Sequence, residues 1–203
     1  MIQINEAMNL VVPVVADESG VKVWAYHTPI SRQVFESNYR VLAATKASLM
    51  SNGAMYMMDS GPLIAALTLH DEGMREAGAR GSYAKDGKTI VDEATPALVA
   101  EIRRLTMVLV PGPGGWDLLP IESAVAAGKI DAEDQAETES AIVFFTCICA
   151  LASKAERKKQ ASSTASLLKG SITSLSPMEF ADSLPNSTKA GPSAQLAVSS
   201  VPS

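Results

Sequence analysis

The chain has 203 residues, 47% of them hydrophobic and 19% charged, which suits one domain with a sizeable core plus extensions. A net charge of −5 and a pI near 5.1 argue against a protein that grips a phosphate backbone, so no nucleic-acid partner is expected. The one basic run, at 155–159, is small.

The longest apolar run, 141–152, falls short of the roughly 18–20 residues a spanning helix needs, so no membrane segment is predicted. The first residues lack a basic stretch followed by an apolar core and a cleavage site, so no signal peptide is expected. Cys147 and Cys149 sit within that apolar run, too close together to staple a fold. They read as reduced, buried small hydrophobes of a cytosolic protein.

From the N-terminus, LVVPVV at 10–15 is rich in β-branched residues, and the segment at 17–20 supplies turn chemistry with Gly20 at a positive φ. Val21 to Tyr26 then alternates with period two. The three pieces predict a β-hairpin, with Pro13 at an edge or a bulge because it cannot donate to a ladder. A lone hairpin is marginal in water, so this one must pack on helices or pair with another strand. Trp24 and Tyr26 share a face and form its packing surface, either toward the chain's own core or toward a partner.

Ser31 is the expected cap of a first helix, with Val34, Phe35, Tyr39 and Leu42 as its apolar stripe and Asn52-Gly53 as its end. The methionine-rich 54–58 follows, as core or loop filler or as an adaptable contact surface. A second helix starts near Ser60 and presents Leu63, Ile64 and Leu67 as its face, and 82–88 is a polar loop in which Asp86-Gly87 could support a small hairpin. Thr95-Pro96 marks a third helix start, and Leu98, Ile102, Leu105 and Leu109 continue a helical stripe up to the Pro/Gly-rich 111–115. That loop matches neither phosphate-binding glycine pattern and is expected to present Trp116 to the core. A short helix over 120–127 precedes one capped by Asp131, apolar on most sides from Ala141 to Ala152 and closed by Lys154, Arg157, Lys158 and Lys159.

Catalytic and metal chemistry find no support in the pattern. His27 and His70 are isolated from any ligand cluster, the carboxylates at 131–139 crowd at a helix start, and Arg103-Arg104 reads as a solvated flank. No cofactor, catalytic residue or metal ligand is predicted. Beyond 160 the chain is rich in Ser, Thr, Ala and Pro and is expected to be a flexible tail. Met178, Phe180, Ala181 and Leu184 are its sparse anchors, on a short helix over 177–184 that docks in a partner's groove or packs back on its own domain. The predicted fold is therefore mostly α (α+β). A hairpin over 1–30 packs on a helical core over 31–160, and a flexible tail spans 161–203.

The segments HTPISRQVFESNY (27–39), EIRRLTMVLVPGPGGWDLLPIESAVAAGKID (101–131), ETESAIVFFT (137–146) and MEFADSLPNST (178–188) resemble the tail assembly chaperones of tailed bacteriophages. The resemblance implies a helper acting in the host cytoplasm, not an enzyme, that binds the tape-measure protein and helps recruit tail-tube subunits. It leaves room for a homo-oligomer. The alternative is a minor structural virion protein of the tail or the head–tail connector. On the chaperone reading the expected partner-binding residues are Trp24, Tyr26, Met178, Phe180 and Leu184.

Overall fold

A computed structural model of the chain describes residues 8–51, 53 and 60–185. The fold is mixed α+β, and its frame is one five-stranded antiparallel sheet in the order β4-β3-β2-β1-β5. The strands are β1 (Asn9–Asp17), β2 (Gly20–His27), β3 (Thr106–Gly112), β4 (Gly115–Pro120) and β5 (Ser171–Thr173). The helices are α1 (Arg32–Ser51), α2 (Gly61–Ala79), α3 (Ala94–Arg104), α4 (Ile121–Ala126), α5 (Ala132–Ala150), α6 (Lys154–Leu167) and α7 (Pro177–Ser183).

Strands β1 and β2 form the expected hairpin. Asp17 accepts hydrogen bonds from the Ser19 amide and hydroxyl, and Gly20 takes a φ of 122°. Pro13 escapes its missing donor in both of the ways foreseen. Strand β5 pairs only with Asn9, Leu10 and Val11, so Pro13 lies on a locally open edge, and the register with β2 slips just after it.

The hairpin is no separate unit. Strand β3 pairs with β2 and places Leu109 beside Trp24, so the sheet continues across the middle of the sequence. This corrects the single helix expected over 95–110: α3 stops at Arg104, and 106–112 is a strand. Thr106, Val108 and Val110 are β-branched and Pro111 cannot extend a helix, so the run favours a strand. Leu109 continued the helical spacing only by coincidence, because a strand covered on both faces is apolar without any period. The Pro/Gly segment is the turn between β3 and β4.

One face of the sheet carries Leu10, Val12, Ala25, Val23, Val108 and Val110, and all of them are buried. The helices cover this face. Helix α5 is the central member, buried at nearly every position from Ile142 to Ala150, as its lack of a polar side predicted. Its N-terminus is held by a capping box in which Asp131 accepts from the Glu133 and Asp134 amides and Asp134 accepts from the Asp131 amide.

Other expectations about the helices need correction. Helix α2 buries Ala65, Leu69, Gly73 and Ala77 and leaves Leu63 and Leu67 exposed. The small residues win the core face because α2 packs close to its neighbours. At Gly73 an added Cβ would stand 2.0 Å from Thr95 Oγ1 and 2.3 Å from Asp92 Oδ2. Thr95 is buried in the first turn of α3 and does not cap it; Asp92 does, accepting from the Ala94 and Thr95 amides. The basic residues after Ala152 do not close α5. Ser153 caps a new helix there, accepting from the Glu156 amide, and Arg157 is buried within α6. The polar 82–91 loop does carry a small hairpin, with an isolated bridge between Tyr83 and Ile90. The methionine cluster at 54–58 lies outside the described residues.

The largest correction concerns the boundary at 160. Helix α6 runs on to Leu167, β5 joins the sheet and α7 folds over it, so 161–185 belongs to the ordered fold. The Ser/Thr/Ala composition misleads because small residues serve close packing here. Ala161, Thr164 and Ala165 are buried where α6 meets the core. The remainder of the expected tail, 186–203, lies outside the described residues.

His27 ends β2 fully buried. The Thr106 hydroxyl donates to the Ile102 carbonyl (2.7 Å), so toward His27 Nδ1, 3.0 Å away, it can only accept. That fixes the neutral tautomer with its proton on Nδ1, while Nε2 is buried without a hydrogen-bond partner among the described residues. Burial pushes the His27 pKa down to about 3. The unfolded chain then binds a proton that the folded chain refuses, so stability is complete above about pH 6.5 and declines as pH falls from there toward 3. Urea unfolding is expected to show a loss of about 2 kcal/mol between pH 7 and pH 5. His27→Gln should flatten that slope whatever its own baseline; an unchanged slope would show that His27 is protonated in the fold. Gly73→Ala, for its part, should lower stability by about 1–3 kcal/mol through the clash with Thr95 and Asp92, measured in the same way.

Candidate functional site: the outer face of the sheet and its covering arm

Strands alternate, so the residues between the core positions point to the opposite side of the sheet. Leu118, Leu109 and Trp24 face one another across β4, β3 and β2, and Tyr26 lies opposite Val11 of β1. With Trp116 they make a second apolar face, away from the main helical layer. An apolar sheet face of this kind must be covered or it becomes a binding surface.

The cover is a C-terminal arm made of β5 and α7. Strand β5 extends the sheet beside β1, and the chain then crosses to lay α7 over the aromatic side chains. Helix α7 has only seven residues, too few to hold as an isolated helix. Its start is well specified. Ser176 accepts from the Glu179 amide, the Glu179 carboxylate accepts from the Ser176 amide, and Pro177 sits in the first turn.

Beyond the β1–β5 ladder, the body grips the arm through side chains that meet its backbone. Tyr26 Oη donates to the Leu175 carbonyl at 2.5 Å, and Asn9 Nδ2 donates to the same oxygen at 3.2 Å. At the far end, Trp116 Nε1 donates to the Pro185 carbonyl at 3.2 Å. Burial, with the Glu179 carboxylate adding to it, pushes the Tyr26 phenol up to about 12, so it remains a donor at physiological pH. Between these anchors Phe180 meets Trp24 edge-on (centroids 6.4 Å apart, planes at 83°) and Tyr26 at a tilt (6.1 Å, 49°). Ala181 is buried beneath it, and Leu184 packs at the margin.

Four of the five residues expected to bind partners thus come together in one place: Trp24, Tyr26, Phe180 and Leu184. Met178 does not join them. It is 70% exposed on the outside of the arm. Reading the sequence in segments missed Val11, Leu109, Trp116 and Leu118. The period-two spacing of Trp116 and Leu118 was a usable signal, hidden by treating 111–116 as a loop.

The polar candidates are used in structure. Arg103 Nε donates to Glu139 at 2.6 Å, and Arg104 to Glu101 at 2.6 and 2.8 Å. Asp131 and Asp134 are consumed by the α5 capping box. Cys147 is fully buried and Cys149 nearly so, and burial pushes both thiols up to about 12, far from a nucleophile's range. His70 and Asp71 are exposed on α2. A cavity of about 450 Å³ lies between α1, α2 and the 82–95 segment. Of its charged residues, Arg80 donates to Glu76 at 2.7 Å and Asp92 caps α3. Among the described residues, no three His, Cys, Asp or Glu side chains are placed to hold a metal ion, and no helix is long and apolar enough to cross a membrane.

No family model, curated protein or solved structure matches the chain.

Phe180→Ala should loosen the arm without unfolding the body, because Phe180 is seated on the outer face and not in the main core. Hydrogen exchange is the measure. Amides of β5 and α7 should exchange at least tenfold faster, while those of α5 keep their protection. Equal acceleration in both places would mean that arm and body open as one unit.

Proposed function

We propose that the protein is a tail assembly chaperone of a tailed bacteriophage, acting in the host cytoplasm. It binds the tape-measure protein and helps recruit tail-tube subunits during tail morphogenesis. The phage assignment comes from the resemblance of segments 27–39, 101–131, 137–146 and 178–188 to that family. The observation that carries a chaperone's role is the outer sheet face, apolar and aromatic under a seven-residue helix. A chaperone for a long helical client needs apolar surface that it can expose on demand and hide again.

On this reading a client helix would lie where α7 lies, its apolar stripe against Trp24, Tyr26, Leu109 and Leu118. Helix-in-groove binding takes its affinity from a few such anchors, each fully buried aromatic or leucine contributing roughly 1.5–3 kcal/mol. Leu63 and Leu67, one turn apart and exposed on α2, supply a second apolar strip for the same client or for tube subunits.

Co-expression with the tape-measure protein is the test. The expected result is a soluble complex that co-purifies, and Leu118→Asp on the outer face should weaken it about tenfold or more. A tape-measure protein that stays insoluble and unbound would refute the proposal. Stoichiometric presence in purified virions, read by mass spectrometry, would instead favour a minor structural component of the tail or the connector.

A further inference from the structure

The arm and its seat have a property independent of any client: every copy of the chain carries both halves of the contact. We propose that copies exchange arms, the β5–α7 arm of one chain pairing with β1 and covering the outer face of another.

The hinge is the first reason. Helix α6 ends in a tight reversal. The Gly170 amide donates to the Ala165 carbonyl at 2.8 Å, and the Lys169 amide donates to the Ser166 carbonyl at 3.1 Å. This is a helix ending that wants glycine at the left-handed position, yet Lys169 occupies it with a φ of 54°. Among the described residues it is the one non-glycine with positive φ. Straightening the hinge removes that strain and swings the arm outward. Short hinges under strain are the ones that exchange segments between copies.

The second reason is that the arm's contacts belong to the arm and not to its tether. The ladder at Asn9–Val11, the Tyr26 and Trp116 hydrogen bonds and the seating of Phe180 all lie beyond Gly170. A second copy's arm can therefore make all of them. Gly170 itself passes so close to the Val11 carbonyl that a Cβ there would stand at 2.2 Å, which fixes where the entering chain must cross β1. A short arm folds only on a body, since α7 has no independent stability. Within one chain the tether holds the arm at an effective concentration on the order of millimolar, so exchange needs copies brought to comparable local density.

The test uses two singly substituted full-length proteins, Asn9→Cys and Thr173→Cys. These positions are direct partners across β1 and β5, and antiparallel neighbours of this kind lie within disulfide reach. The native thiols are buried and do not compete. Mixed at about millimolar concentration under mild oxidation, the two should form a disulfide-linked heterodimer well above the level of either homodimer on a non-reducing gel. Lys169→Pro, which forbids the left-handed hinge, should raise the dimer fraction several-fold by light scattering. Lys169→Gly, which relieves its strain, should lower it about fivefold. No heterodimer above the homodimer background would overturn the proposal even if the hinge variants fail to fold. A Lys169→Pro protein that folds, stays monomeric and exposes its outer face would also overturn it, leaving that face to a foreign helix.

Discussion

Strands β2 and β3 carry large apolar side chains on both of their faces, and most of the molecule answers to that constraint. Val23, Ala25, Val108 and Val110 need cover on one side; Trp24, Tyr26 and Leu109 need it on the other. The first requirement is met by a deep helical layer organised round α5. The second is met by an arm from the far end of the described residues, anchored by the β1–β5 ladder, three side-chain hydrogen bonds and one phenylalanine. The two covers differ greatly in extent. A sheet sealed firmly on one side and lightly on the other keeps its shape when the lighter seal opens.

Polar groups follow the same division. In the core most are satisfied locally: Thr45, Thr106 and Thr146 donate to carbonyls four residues back, while His27 meets Thr106 through Nδ1 and leaves Nε2 without a partner among the described residues. On the outer face the hydrogen bonds run from body side chains to arm carbonyls. Those carbonyls and donors can turn to water when the arm leaves, so opening costs the apolar contact and the short β1–β5 ladder.

Much of the fold was legible where a single local rule dominates. The β1–β2 turn, the Asp131 cap and the apolar C-terminal half of α5 each follow from a few adjacent residues. The misreadings share a cause, which is long-range context. Thr106–Val110 looked helical because Leu109 kept the stripe, and only pairing with β2 makes it a strand. Leu63 and Leu67 looked like a core face, but helix proximity at Gly73 gives that face to small residues. The stretch after 160 looked unfoldable because its apolar content is sparse, yet a short arm needs only Phe180, Ala181 and Leu184 when the body supplies the rest. Trp24, Tyr26, Phe180 and Leu184 were recognisable as contact makers from chemistry alone. That they contact one another depends on a separation of some 150 residues, which no local pattern encodes.

The chain has two tryptophans, and both stand on the outer face. Trp24 has Phe180 against its ring, and Trp116 gives its indole N–H to the arm's last described carbonyl. The helical layer contains no indole at all. Tryptophan emission, excited apart from tyrosines such as Tyr39 and Tyr83, therefore arises entirely from the outer face, and it reads the arm's position without a label and without an indole background from the core.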